Sequence, residues 1–184
     1  MIARTMLALA LFGAVTGVDG AVQRAVQEAR RPALEPTMRF ATGVGHPAVV
    51  FGALLGIAVF TGPAGPASAR LALLALAPTN LAVEGLKLAV NRTRPDGERK
   101  RTNSSFPSSH AANAAALAAV LAWRWRRGAP AFWGAALLVA FSRVYLNRHW
   151  PSDVVIGLLI GAACATWAIR RAGDRRPGGA PGQG

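Results

Sequence analysis

The chain has one cysteine, eight acidic residues and three histidines among its 184 residues, and these scarcities exclude several kinds of site. The single cysteine, Cys164, permits neither a disulfide within the chain nor a cysteine-based metal site, and we interpret it as a small packing residue. The few carboxylates form no obvious cluster for Mg²⁺, since Asp96 and Glu98 lie two residues apart in a loop and are best interpreted as solvated. We therefore expect no metal ion and no other cofactor.

The chain is strongly basic, with 21 lysines and arginines against only eight acidic residues and a net charge of +13. Such a balance can indicate nucleic-acid binding. Here the cations are nearly all arginines at the ends of apolar blocks, which is more typical of membrane flanks and of a phosphate site. The glycines are scattered through apolar runs and form no nucleotide-binding pattern. We expect a lipid bilayer as the partner and no nucleic acid.

Six apolar blocks predict an all-α integral membrane bundle of six transmembrane helices. Several blocks are shorter than the roughly 20 residues that a span requires, but snorkelling arginines and flanking tryptophans can extend them. The first block could instead be a signal peptide, although Asp19-Gly20-Ala21 is a poor cleavage site and favours a retained span. The blocks cover residues 5–18, 47–62, 68–90, 110–123, 131–146 and 154–169.

The segments between the blocks predict the domain organisation and the orientation. Residues 1–170 would form one membrane domain, and residues 171–184 a basic, Gly- and Pro-rich disordered cytoplasmic tail. Residues 19–46 suggest an external loop, with an interfacial helix as the alternative for part of it. An N-terminus inside the cell places nine arginines and only one acidic residue in the inner segments. The basic loop 91–109 would then lie outside, against the positive-inside rule, unless its cations bind an anion.

Three polar clusters would lie on that outer side, and the first two could bind a phosphate. Lys87 and Arg94 are seven residues apart, so they share a face if the helix continues. The stretch Pro107-Ser108-Ser109-His110 precedes an apolar block, and a helix beginning there would offer free N–H groups to an anion. The plainer alternatives are that the cations only snorkel and that a serine only caps the helix.

The third cluster runs from Ser142 to Asp153 and could supply a nucleophile. His149 and Asp153 are four residues apart, and Pro151 suits the first turn of a helix between them. A carboxylate can accept a hydrogen bond from one imidazole nitrogen and leave the other free to attack. Arg143 adds a planar cation suited to phosphate oxygens. The alternative is an interfacial loop with a surface His–Asp pair.

Together the patterns Lys-x6-Arg-Pro, Pro-Ser-x-His and Ser-Arg-x5-His-x3-Asp, in this order, resemble the type 2 phosphatidic acid phosphatase family over residues 84–153. The resemblance implies that His149 is the nucleophile, that Asp153 orients it, and that His110 is the general acid and base. One departure is Ser109, where the family usually has glycine. The residues implied to hold the phosphate oxygens are Lys87, Arg94, Arg143, Ser108 and the backbone near Ser109.

The resemblance implies a metal-independent lipid phosphatase of the bacterial cytoplasmic membrane, with its active site facing the periplasm or outside. An isoprenoid diphosphate such as undecaprenyl diphosphate is the first substrate expected from the family. Phosphatidylglycerol phosphate, phosphatidic acid, a polyprenyl-phosphosugar and lipid A are alternatives. Two other classes stay open at this point: a soluble phosphatase or haloperoxidase-like enzyme on the same helical fold, and a non-enzymatic membrane protein such as a transporter or inactive paralogue.

Overall fold

The computed structural model describes residues 2–98 and 104–173, and all regular secondary structure within them is helical, as expected. Short 3-10 turns lie at Pro32–Leu34, Gly62–Ala64 and Arg126–Gly128. Of the predicted tail, residues 171–184, the part from residue 174 onward lies outside the described residues. In chain order the α-helices are α1 (Ile2–Glu28), α2 (Glu35–Val44), α3 (Pro47–Phe60), α4 (Gly65–Ala89), α5 (Ser109–Arg124), α6 (Ala129–Tyr145) and α7 (Pro151–Arg171).

Residues 19–46 are largely helical, which corrects the expectation of an external loop. Helix α1 continues through Asp19 to Glu28, and α2 begins at Glu35. Pro32 and Pro36 suggested a loop, but each lies in the first turn of a helical segment. Proline is tolerated in a first turn because its missing N–H has no partner there in any case. The alternative of a helix in this region therefore holds.

Each of the five later apolar blocks forms a helix whose ends lie close to the block boundaries. Pro47 and Pro151 begin α3 and α7, and the side chain of Ser108 caps α5. Pro78 lies inside α4 without ending it. Polar segments separate the apolar blocks close to the points where these helices begin and end, so the helix positions could be predicted from the sequence.

Helix α5 lies at the centre of the fold and packs against α4, α6 and α7. Its buried face consists mostly of alanines, with Ala111, Ala112, Ala115 and Ala116 fully buried. Small side chains let helix backbones approach closely, which favours packing in a bundle. Larger apolar residues on the surrounding helices point outward, among them Phe51, Leu55, Leu81, Leu137 and Leu159.

Among residues 2–98 and 104–173, two helical segments are long and apolar enough to cross a membrane, Gly62–Ala89 and Pro151–Arg171. The pair Pro32–Val44 and Ala48–Phe60, bent by 61°, would make a third if it is one broken span. These lengths and compositions agree with a membrane protein. The count of six spans stays a prediction.

Helices α5 and α7 are in backbone contact at two glycines of α7. A Cβ atom at Gly157 would lie 2.6 Å from the carbonyl oxygen of Ser108, and one at Gly161 would overlap the carbonyl oxygen of Ala112. Both glycines are buried. The approach therefore holds the start of α5 and the first half of α7 together, where the predicted site residues lie.

Replacing Gly161 with alanine should destabilise the protein, because the added methyl group has no room against the α5 backbone. We expect a loss of about 1–3 kcal/mol, the usual cost of overpacking. Gly134→Ala on α6 is the matched control, since a Cβ there meets no atom within 4 Å and alanine favours a helix. Thermal unfolding of the purified protein in detergent, followed by circular dichroism, measures both. Equal melting temperatures for the two variants would contradict this packing.

Candidate active site

A cavity of about 260 Å³ lies where α4 and α6 end and α5 begins. Six of the eight predicted site residues line it: Lys87, Arg94, Ser109, His110, Arg143 and His149. The other lining residues were not predicted: Gly45, Asn80, Glu84 and Asn113. Residues far apart in the sequence therefore meet in one place, while Ser108 and Asp153 lie behind the cavity wall.

His149 lies in the turn between α6 and α7 and is held in one orientation. The backbone N–H groups of Arg148 and His149 donate to the carbonyl oxygen of Arg143, at 2.9 and 3.2 Å. The Nδ1 atom of His149 lies 2.7 Å from the carbonyl oxygen of Ser105. A carbonyl oxygen can only accept, so Nδ1 carries the proton and donates it. The lone pair is therefore on Nε2, in a side chain that lines the cavity.

Asp153 lies in the first turn of α7, but its carboxylate does not bond directly to His149. The distance from Asp153 Oδ2 to His149 Nδ1 is 3.8 Å, beyond a hydrogen bond. The same oxygen accepts hydrogen bonds from the Ser105 hydroxyl and, at 2.8 Å, from the Trp150 N–H. The direct imidazole contact expected from the sequence is thus replaced by one through Ser105, whose carbonyl orients the ring.

The protonation state of His149 follows from its surroundings. Only 3% of its surface is exposed. Burial lowers the pKa of the imidazole below its ordinary value of 6.5, and the carboxylate of Asp153 raises it by less. Arg143 and Arg94 lower it further. His149 is accordingly neutral at pH 7, which is the form that can act as a nucleophile.

Three cations line the cavity, and their side chains are fixed by the protein. Arg143 donates from Nη1 to the Thr42 hydroxyl at 2.5 Å, and its buried Nε has no hydrogen-bond partner within the described ranges. Arg94, in the loop after α4, is 7% exposed. Lys87 Nζ donates to Glu84 at 2.8 Å and to the Ser109 hydroxyl at 2.5 Å. Ser109 thus holds Lys87 through a side chain that glycine lacks.

Ser108 is fully buried and acts as the N-cap of α5. Its hydroxyl accepts a long hydrogen bond of 3.5 Å from the Ala111 N–H, and its own N–H donates to the carbonyl oxygen of Asp153 at 3.0 Å. Ser108 is absent from the cavity lining among the described residues. Its contribution to phosphate binding stays a prediction, and in this structure it joins the starts of α5 and α7.

A buried ion-pair network behind the cavity was not predicted from the sequence. Arg92 donates from Nη1 to Asp153 and from Nη2 to Asp19, each at 2.6 Å. Asp19 also accepts from the N–H and hydroxyl of Ser152, at 2.8 and 2.5 Å. The two carboxylates are almost completely buried, with 3% and 0% of their side chains exposed. Arg92 therefore links α1 to the residue that holds Ser105.

One signal for this network was present in the sequence. Asp19 is a carboxylate directly after an apolar block, and such residues are costly in a membrane unless they are paired. Its partner, Arg92, lies within the six unspecified positions of the first pattern, and Ser105 lies in the polar loop. Only the fold shows that these positions meet.

The loop carboxylates Asp96 and Glu98 pair with a cation rather than being simply solvated. Arg148 Nη1 lies 2.8 Å from Asp96 and 3.5 Å from Glu98. These ion pairs connect the loop after α4 to the turn between α6 and α7, which carries His149. Within residues 2–98 and 104–173 there is no group of three or more His, Cys, Asp or Glu side chains arranged to hold a metal ion.

Comparison with known proteins gives a consistent family. The sequence model of the PAP2 superfamily matches residues 68–177. The chain is 40% identical over 70 residues to an undecaprenyl-diphosphatase of Sulfolobus acidocaldarius, covering 35% of this chain and 32% of that protein. It is 34% identical over 89 residues to a lipid A 1-phosphatase of Rhizobium johnstonii, covering 42% and 36%. The matches thus span about a third of these relatives.

A solved structure matches over most of the chain. The transmembrane PAP2 type phosphatidylglycerolphosphate phosphatase from Bacillus subtilis superposes with a TM-score of 0.73 and 25% sequence identity. The match covers 89% of each chain. It extends the similarity from the region of the motifs to most of the chain.

Removing the cation at the centre of the ion-pair network should be strongly destabilising. Arg92→Met leaves Asp19 and Asp153 buried without their partner, and we expect a loss of about 3–5 kcal/mol. Arg39→Met is the control, because Arg39 is 70% exposed in its pair with Glu35 and such pairs contribute about 1 kcal/mol or less. Unfolding in detergent measures both variants. A similarly small loss of unfolding free energy in both variants would show that the ion pairs of Arg92 do not stabilise the fold.

Proposed function

The chain belongs to the PAP2 superfamily, and from this premise we propose that it is a membrane lipid phosphatase. It removes the terminal phosphate of a lipid phosphate or diphosphate through a phosphohistidine intermediate on His149. One observation carries the proposal: a neutral imidazole and three cations line one cavity, together with a second histidine. This combination supports an enzyme rather than an inactive relative, since each part of a phosphoryl-transfer site is present.

In the first step, His149 Nε2 attacks the phosphorus and forms an N–P bond. The bond between phosphorus and the lipid oxygen breaks. In this step His110 is in its protonated form, which the bound phosphate anion favours, and it donates that proton to the lipid oxygen, so the lipid leaves as an alcohol or a shorter phosphate. The proton on His149 Nδ1 stays hydrogen-bonded to Ser105. The positive charge that develops on the ring is balanced by Asp153, 3.8 Å away.

In the second step, His110 has lost its proton and acts as a base on a water molecule. The water oxygen attacks the phosphorus, the N–P bond breaks, and inorganic phosphate leaves with His149 neutral again. Lys87, Arg94 and Arg143 stabilise the phosphate oxygens in both steps. Phosphoryl transfer mainly requires positioning and charge stabilisation, and three fixed cations supply these. We therefore propose that the reaction needs no divalent metal.

We further propose that six helices span the membrane, namely α1 and α3 to α7, with the active site at their extracytoplasmic ends. Outward-facing apolar side chains on α3, α4, α6 and α7 support contact with lipid. Helix α5 is mostly enclosed by α4, α6 and α7. Its surface is mainly alanine, which is only weakly hydrophobic, but most of that surface contacts other helices and need not face lipid. The N-terminus, the connections 61–70 and 124–130 and the C-terminus would lie inside, where nine arginines favour the cytoplasm.

The substrate is not decided by the relatives. Their names refer to undecaprenyl diphosphate, lipid A and phosphatidylglycerol phosphate. All three present a terminal phosphate at headgroup depth, and the cavity can accept that group from any of them. The isoprenoid diphosphate favoured by the family resemblance is thus one of three substrate classes whose terminal phosphate this site could bind.

Replacing the proposed nucleophile should abolish turnover without unfolding the protein. His149→Ala should lower phosphate release from a panel of lipid phosphates by about three orders of magnitude or more, as removal of a covalent nucleophile does. His46→Ala is the matched control, because His46 is exposed and caps α3 outside the cavity. With radiolabelled substrate, an alkali-stable label should appear on the parent chain and not on His149→Ala. Release within tenfold of the parent would refute the assignment.

The orientation can be tested with single cysteines at opposite ends of the bundle. In a Cys164→Ala background, Thr93→Cys lies in the loop beside the cavity and Arg127→Cys between α5 and α6, and both positions are exposed. On intact spheroplasts, a membrane-impermeant thiol reagent should label position 93 and not position 127. The reverse pattern would place the active site in the cytoplasm.

A further inference from the structure

A row of polar side chains on α1 contacts the end of α6 and the His149 turn, which comprises residues 146–150. Asp19, Gln23 and Gln27 are spaced four residues apart, so they share one face of the helix. Asp19 belongs to the ion-pair network described above. Gln23 is 5% exposed and Gln27 is half-buried. The two glutamines belong neither to that network nor to the predicted site, and they lie outside the segment that the family model matches.

Both glutamines donate hydrogen bonds to the last turn of α6. Gln23 Nε2 lies 3.1 Å from the carbonyl oxygen of Val144 and 2.7 Å from Oδ1 of Asn147. Gln27 Nε2 donates to the carbonyl oxygens of Val144 and Tyr145, at 3.1 and 3.3 Å. The last carbonyl groups of an α-helix have no partner within the helix. Amide donors from α1 therefore complete the hydrogen bonding at this end of α6.

The His149 turn begins with a Schellman motif. Asn147 has a φ of 59°, in the left-handed region that asparagine adopts more readily than most residues. Its N–H donates to the carbonyl oxygen of Val144 at 3.0 Å, and the Arg148 N–H donates to that of Arg143 at 2.9 Å. The His149 N–H reaches the same Arg143 carbonyl at 3.2 Å. The position of the His149 backbone is therefore fixed relative to the end of α6.

A tyrosine joins the end of α6 to the segment after α1. The Tyr145 hydroxyl donates to the carbonyl oxygen of Arg31 at 2.7 Å and accepts from the N–H of the same residue at 2.9 Å. Only 3% of Tyr145 is exposed. Asp19, further back on α1, accepts from the N–H of Ser152 at the start of α7. The α1 segment thus contacts both the helix that precedes the His149 turn and the helix that follows it.

We propose that Gln23 and Gln27 are positioning residues of the active site. By holding the end of α6, they keep Nε2 of His149 aligned with a phosphorus atom whose oxygens are bound by the three cations. Attack requires reacting atoms about 3–3.5 Å apart and aligned, and a displacement of about 1 Å can cost about 100-fold in rate. The inference rests on the proposed phosphatase function, and it assigns part of the alignment to a helix outside the matched segment.

The first test removes the donor of Gln27 and keeps the length of its side chain. Gln27→Met should lower kcat/KM by about tenfold, because two neutral hydrogen bonds to the end of α6 are lost. Gln27 is half-buried, so methionine fits there, and circular dichroism of the purified full chain in detergent checks the fold. Phosphate release is measured from farnesyl diphosphate, dioleoyl phosphatidylglycerol phosphate and lipid A. The variants are compared on the lipid that the parent hydrolyses fastest.

A second variant should rescue the first by restoring a donor. Gln27→Lys places an ammonium group at the carbonyl end of α6, where a cation can bond to the last carbonyls and is favoured by the helix dipole. We expect it to keep kcat/KM within about threefold of the parent, less than the tenfold that one unit of pKa or 1.4 kcal/mol represents. The control is Ala25→Lys in the Gln27→Met background. Position 25 is exposed and lies about 200° around the helix from position 27, so this lysine adds the charge without reaching α6.

A third measurement separates alignment from stability. Vanadate mimics the five-coordinate state and would bond to His149, whereas phosphate needs only the cations. Inhibition constants do not depend on how much of the protein is folded. Gln27→Met should therefore reduce the preference for vanadate over phosphate by about the same factor as it lowers kcat/KM, about tenfold.

Each failure has a distinct meaning. An active parent with kcat/KM unchanged in Gln27→Met, an unchanged vanadate preference, or equal rescue by Ala25→Lys would overturn the positioning role and leave the phosphatase intact. Should Gln27→Met not fold, Asn147→Gly decides, since glycine keeps the left-handed φ and removes the acceptor of Gln23. Unchanged kcat/KM and vanadate preference there would also overturn the role. No phosphate release by the parent from any of the three lipids would refute the proposed function, and the positioning role with it.

Discussion

The hydrogen bond from His149 to the carbonyl oxygen of Ser105 determines what the site can do. It fixes the proton on Nδ1 and so leaves the lone pair on Nε2. Ser105 is in turn held by Asp153, Asp153 by Arg92, and Arg92 by Asp19 on α1. The orientation of one imidazole thus depends on contacts that connect the first helix, the loop after α4 and the start of α7. A charge pair that is buried to this degree is costly to break, so the network makes the site rigid.

The sequence predicted much of this architecture because its strongest signals are local. Apolar blocks bounded by polar turns predicted helices α3 to α7, and Pro151 predicted where α7 begins. Motif spacing identified six residues that the fold brings to one cavity. Prolines at 32 and 36 misled the interpretation of residues 19–46, since the same residue that breaks a helix interior suits its first turn.

What the sequence could not give are contacts between distant segments. Asp19 and Arg92 are 73 positions apart, and nothing in either neighbourhood specifies the other. The direct His149–Asp153 bond was inferred from a spacing of four, but the nearer acceptor is a backbone carbonyl, which every residue possesses. The contact between the two asparagines of the cavity lining was invisible for a similar reason. Each asparagine alone is an ordinary polar residue, and only the fold shows that the two are hydrogen-bonded and that both line the cavity.

The central claim, that Nε2 of a neutral His149 is the nucleophile in a site built from fixed cations, can be observed directly. Vanadate mimics the five-coordinate state of phosphoryl transfer, and a site complementary to that state should bind it tightly. We predict that an experimental structure of the protein with vanadate will show a vanadium–nitrogen bond to His149 Nε2, with Arg94, Arg143 and Lys87 around the oxygens. Vanadate bonded to His110, or bound away from His149, would contradict this account.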